Sequence, residues 1–154
     1  SIWDKTFQRN ARASFFVAQA FARRLIPAGK PGSIVIVSST NGFQAESHSV
    51  AYDSSKGAVV MMTRSLAVSL ADHGIRVNGI APGLIRTPLT AALAEPQAKA
   101  LVETYEKKIL LRRLGTPDDV AGAAVFLNTP AASYITGEII VIDGGLTVCQ
   151  IGRP

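Results

Sequence analysis

Cysteine is nearly absent. Cys149 stands alone in 154 residues, which excludes an internal disulfide and fits a reducing compartment, the cytoplasm. The two histidines, His48 and His73, lack the cluster of cysteine, histidine and carboxylate neighbours that a metal site needs, so neither reads as a ligand. No apolar run approaches the roughly 18 residues that a membrane-crossing helix requires, so no membrane partner is expected. Charge of one sign is not concentrated either. The net charge of +5 comes from 16 basic and 11 acidic residues, with basic residues doubled only at Arg23-Arg24, Lys107-Lys108 and Arg112-Arg113. A nucleic-acid reader would gather such charge on one element, so this scatter predicts a solvated surface with some attraction for an anionic phosphate cofactor. No Gly-x-Ser-x-Gly elbow surrounds a serine, which excludes a hydrolase of that kind. The glycines at 29 and 32 precede a strand instead of following one, so they form a loop and not a dinucleotide-binding fingerprint.

The residues that are present read as one α/β unit, a length and a hydrophobic content of 47% that suit a single core. Helical spacing of Phe7, Ala11, Phe15, Ala18 and Phe21 predicts a helix over 3–26, ended by the Pro27–Gly32 turn cluster. The continuous apolar run 34–37 predicts a strand covered on both faces. A polar loop over 41–49 leads to a long helix over 52–73, closed by Gly74, and 75–80 reads as a second strand. After a loop over 82–88, a helix is expected over about 91–108, broken at Pro96. Thr116-Pro117-Asp118-Asp119 marks the start of another, running to about 127: a hydroxyl cap, proline at the first position, acids in the first turn. A third strand is expected over 139–142. Helices alternating with buried strands argue for a parallel sheet.

Within this frame Tyr52 and Lys56 carry the most information. Four residues apart, they share one face of the long helix. A free phenol has a pKa of about 10 and holds its proton at neutral pH, whereas a cation held beside it favours the phenolate. That arrangement suits general acid–base work. A strand end rich in hydroxyls, Ser38-Ser39, lies just upstream, with Ser39 13 positions before Tyr52. Further motifs stand in register: Trp3-Asp4 followed by Asn10, then Arg76-Val-Asn-Gly-Ile-Ala-Pro-Gly83, Ile85-Arg-Thr-Pro88, Arg113-Leu-Gly-Thr-Pro-Asp-Asp-Val120 and Tyr134-Ile-Thr-Gly…Asp143-Gly-Gly145. In order and spacing they resemble the second half of a short-chain dehydrogenase/reductase, and the resemblance runs nearly end to end.

The resemblance implies a Rossmann-like, doubly wound parallel sheet of which these residues supply the C-terminal strands and helices. The family's Thr-Gly-x-x-x-Gly-x-Gly turn and Asn-Asn-Ala-Gly strand end do not occur, so residues 1–154 are expected to be the catalytic half of a single domain. Its N-terminal half would be a partner, covering an otherwise exposed edge of the first strand. By the same resemblance, Tyr52 exchanges a proton with the substrate oxygen, and Lys56 steadies the phenolate and bonds the nicotinamide ribose. Ser39 bonds the substrate oxygen, and Asn10 positions a water that links Lys56 to solvent. Pro82, Gly83, Ile85 and Thr87 grip the nicotinamide amide of NAD or NADP. Thr87 has a second reading as a helix cap, and both roles can coexist; Cys149 reads as an inert tail residue. The implied reaction interconverts a secondary alcohol and a ketone, and the Tyr-x-x-x-Lys spacing ranks double-bond reduction low. The segment 84–113 corresponds to the family's variable substrate lid. A homodimer or homotetramer is implied through the helix from Tyr52 to His73. The rival reading is a non-catalytic fragment that keeps only an oligomerisation surface.

Overall fold

The computed structural model of the chain describes residues 1–149. The first helix begins as α1 (Ile2–Phe7), passes through a π-helical turn (Gln8–Arg12) and continues as α2 (Ala13–Leu25). The sequence predicts one uninterrupted helix here. The wider turn is invisible to a 3.6-residue period because the backbone stays right-handed on both sides of it. Strand β1 (Gly32–Val37), helix α3 (Val50–Leu70) and strand β2 (Ile75–Pro82) follow, then α4 (Lys99–Lys108), α5 (Pro117–Leu127) and β3 (Ile139–Ile142). The helix carrying Tyr52 therefore starts two residues earlier than expected. It ends in a 3₁₀ turn (Ala71–His73), and Gly74 takes the left-handed conformation, φ 67°, that closes such an end without Cβ strain.

The three strands are parallel in the order β1-β2-β3, with Val37 opposite Ile80 and Pro82 opposite Ile142. Their side chains alternate between two apolar layers, as the period of two requires. Ile36, Ile75 and Val77 pack with Ala22 of α2 and with Val59, Ala67 and Leu70 of α3. Ile80 packs on the other face with Leu127 of α5 and Ala132, joined by Val35, Ile140 and Ile142. Helices on both faces of a parallel sheet make the doubly wound α/β arrangement that the alternation of elements predicts. β1 has β2 as its one neighbour in this sheet, and Val37 at its end is half exposed.

The segment before α4 departs from expectation. Instead of an α-helix from about 91, two 3₁₀ turns (Pro88–Ala94 and Pro96–Ala98) precede Lys99. Pro88 and Pro96 each sit at the first position of a turn, where the missing N–H costs nothing, and Thr90 between them leaves helical geometry. The start of α5 is as the sequence predicts: the Thr116 hydroxyl accepts from the Asp119 N–H while the Asp119 carboxylate accepts from the Thr116 N–H at 2.7 Å. Arg113 adds a paired contact to that carboxylate and holds its pKa well below the usual range.

Candidate active site

The C-terminal ends of β1 and β2, the first turns of α3 and the 84–108 segment enclose a cleft of about 1250 Å³. Ligands of open parallel sheets collect at this end of the strands. Of the residues singled out in the sequence, Ser39, Tyr52, Lys56, Pro82, Gly83, Ile85 and Thr87 all line it. They come from three separate stretches of chain, brought together by the strand ends and one helix.

Tyr52 and Lys56 occupy consecutive turns of α3, with the Lys56 Nζ 5.6 Å from the centre of the Tyr52 ring. The Tyr52 side chain is partly open to the cleft, 40% exposed. Lys56 donates from Nζ to the Val37 carbonyl at 3.1 Å, so the last residue of β1 fixes the ammonium beside the phenol. Burial without a carboxylate partner lowers the pKa of Lys56.

The two serines that end β1 have different tasks. The Ser38 hydroxyl donates to the Lys56 carbonyl at 3.0 Å and ties the strand end to α3. The Ser39 hydroxyl accepts from the Asn41 N–H at 3.2 Å, and its own proton has no protein acceptor among the contacts of the described residues. That proton is free to bond an oxygen in the cleft. Gly42 makes this close fit possible: a Cβ there would stand 2.9 Å from the Lys56 carbonyl oxygen and 3.0 Å from the Ser38 Oγ.

Asn10 does not line the cleft. It sits in the π-helical turn, a feature that often marks functional positions. Its Nδ2 donates to the Ser55 hydroxyl at 2.9 Å, and Ser55 donates onward to the Tyr52 carbonyl at 2.7 Å. The Asn10 carbonyl accepts from Ser14. Asn10 thus supports the first turns of α3. On the opposite wall, the Gly83 N–H donates to the Ile142 carbonyl, and a Cβ at Gly83 would lie 2.8 Å from that of Asp143. Ile85 bridges to Gly115, and Thr87 caps the following 3₁₀ turn through Thr90. Cys149, read as an inert tail residue, also lines the cleft.

Asn41, Glu46 and Tyr105 line the cleft and Asp53 stands beside them, in a hydrogen-bonded network that the sequence does not foretell. The Asp53 carboxylate, next to Tyr52, accepts from Asn41 Nδ2 at 2.8 Å and from the Glu46 N–H at 2.9 Å. Burial pushes Asp53 up, but these bonds and one from Ser49 outweigh it and hold the carboxyl below its ordinary value. Glu46 in turn accepts a hydrogen bond from the Tyr105 hydroxyl of α4. Burial first, then the bond to Glu46 and its charge, pushes the Tyr105 phenol up to about 12. Residues 59 apart in sequence carry no spacing signal for such a bridge.

A family model described as enoyl-(acyl carrier protein) reductase matches residues 1–147. The rabbit (Oryctolagus cuniculus) dehydrogenase/reductase SDR family member 4 is 42% identical over 144 residues, covering 94% of this chain and 54% of that protein. Among solved structures, a 4-hydroxyisoleucine dehydrogenase variant complexed with NADH and succinate superposes with a TM-score of 0.92 at 33% identity, over 96% of this chain and 60% of the other. A gluconate 5-dehydrogenase from Burkholderia cenocepacia, in complex with NADP and tartrate, gives 0.90 at 35% identity over 96% and 56%. The chain spans about half the length of the curated relatives it matches.

Proposed function

The chain belongs to the short-chain dehydrogenase/reductase family, and from that premise we propose that it is the catalytic half of an NAD- or NADP-dependent oxidoreductase interconverting a secondary alcohol and a ketone. The observation that carries this reading is the meeting of the Tyr52 phenol, the Lys56 ammonium and the unsatisfied Ser39 proton in one cleft. The residues suit the nicotinamide end of a dinucleotide: Pro82 and Gly83 line the same cleft as Tyr52 and Lys56, and close packing of Gly83 on Asp143 leaves no room for a Cβ there. The dinucleotide, when bound, supplies or takes up the hydride.

In the reducing direction the ketone oxygen accepts hydrogen bonds from Ser39 and Tyr52, which stabilise the negative charge that develops there. Tyr52 then gives that oxygen its proton. Lys56, with its Nζ 5.6 Å from the ring centre, places a positive charge beside the oxygen that gives up the proton. Asn10 would hold a water for re-protonation through Lys56, and the Pro82–Thr87 wall would fix which face of the nicotinamide meets the substrate. The four-residue spacing of Tyr52 and Lys56 favours this carbonyl chemistry over the double-bond reduction that the family model's description names.

Two partners complete the reading. The N-terminal half of the same protein would pair with the free edge of β1, and a second copy would pack on the helix from Tyr52 to His73, where Met61 and Val68 are exposed, giving a dimer or tetramer. The test is absorbance of reduced nicotinamide during incubation of the full-length protein with secondary alcohols and ketones. Turnover with either NAD or NADP is expected; cofactor binding with no turnover of any carbonyl or alcohol would overturn the assignment.

A further inference from the structure

The outer wall of the cleft carries two hydrogen-bond acceptors beside donors from Asn41, Gln44 and Lys108. Glu46 reaches it from the loop before α3, and Tyr105 from α4. The Tyr105 hydroxyl gives its proton to Glu46 Oε1, so the phenol oxygen has only lone pairs left to offer. An ionised carboxylate is itself acceptor-only, with about four lone-pair positions. Tyr105 and a long contact from Asn41, 3.4 Å to Oε2, occupy two of them. The Glu46 backbone is anchored by its N–H bond to Asp53, the residue after Tyr52.

The inner end of the cleft has the opposite character, because Tyr52 and Ser39 present protons toward a substrate oxygen. A molecule that satisfies both ends has an acceptor at the reacting carbon and a donor some bonds away. On the dehydrogenase reading above, we infer that Glu46 is a specificity-determining residue, and that the substrate is a ketone or alcohol carrying a second, uncharged hydroxyl remote from the reacting carbon. A carboxylate in that position would meet the Glu46 charge. Lys108, on the same helix as Tyr105, also lines the cleft and is the group that would favour an anion instead. Glu46 is exposed, so solvent screens its charge and the discrimination is moderate.

The experiment compares three matched series with the full-length protein: methyl ketones ending in a hydroxyl, their isosteres ending in a methyl, and the corresponding keto acids. In the wild type kcat/KM should favour the hydroxy ketone over its methyl isostere by about tenfold, the value of one hydrogen bond to a charged group, with the keto acid poorest. Glu46→Gln should lift the keto acid selectively. Glu46→Lys should make it the preferred substrate, with cofactor affinity unchanged by nicotinamide fluorescence. A wild type that prefers the keto acid, or a rank order that survives Glu46→Lys, would overturn the inference. So would turnover of the methyl ketones without the hydroxy ketones, which leaves the dehydrogenase reading standing. Failure to turn over any of the three series removes both.

Discussion

Ser38 and Ser39 show how closely adjacent, chemically identical side chains can be separated by their hydrogen bonds. One is committed to the Lys56 carbonyl, the other keeps a proton for the cleft. The sequence favours Ser39 through its offset from Tyr52, and the hydrogen bonds give that preference a physical content. Tyr52 and Lys56 were legible because helical periodicity alone puts them on one face. The contacts of Glu46, Asn41, Asp53 and Tyr105 were not, because they are made by tertiary folding of a loop against α3 and α4. The Glu46–Tyr105 bridge has a direct readout at this scale. The Tyr105 phenol is pushed up to about 12 from an ordinary value near 10. The folded state therefore keeps a proton that the unfolded chain gives up. The stability this contributes is fully present below pH 10 and is lost as pH rises through about 12. Phenolate absorbance, taken as wild type minus Tyr105→Phe, should show a midpoint near 12; a midpoint near 10 would mean the bridge does not form in solution.

At the scale of elements, the site depends on how β1 runs into α3. The strand ends at Val37, two serines and a 3₁₀ turn (Thr40–Gly42) follow, and the turn lies against the backbone of α3. Gly42 is the contact point, with the Lys56 carbonyl and Val60 each 2.9 Å from where its Cβ would be. Gly42→Ala should push the turn off the helix, cost roughly 1–3 kcal/mol in chemical denaturation and lower turnover as Ser39 shifts. Unchanged stability together with unchanged turnover would contradict this packing. Strands and the α5 cap were readable from apolar runs and from Thr116-Pro117. The π-helical turn around Asn10 and the 3₁₀ turns of the lid were not. Both keep helical handedness and differ in hydrogen-bond span, which side-chain pattern does not encode.

At the scale of the whole molecule, the three-strand sheet has apolar layers on both faces and a free edge at β1. An unpaired strand edge invites pairing with another chain. Prepared alone, residues 1–154 are expected to self-associate, with an oligomeric size that grows with concentration in light scattering. A monomer with one cooperative, concentration-independent thermal transition would show that the sheet needs no further strand. The parallel order and its two packed faces follow from the alternation of strands and helices; which strand completes the edge has no signature in these residues.

The account stands on Tyr52 as the group that exchanges a proton with the substrate oxygen, and one comparison addresses it directly. In the full-length protein, wild type and Tyr52→Phe are saturated with cofactor and the single-turnover rate of hydride transfer is recorded for each. Removing one hydroxyl from the cleft should slow that step by about a hundredfold or more, the usual worth of a positioned acid–base group, with cofactor affinity nearly unchanged. A Tyr52→Phe protein that transfers hydride as fast as the wild type would contradict the mechanism at its source.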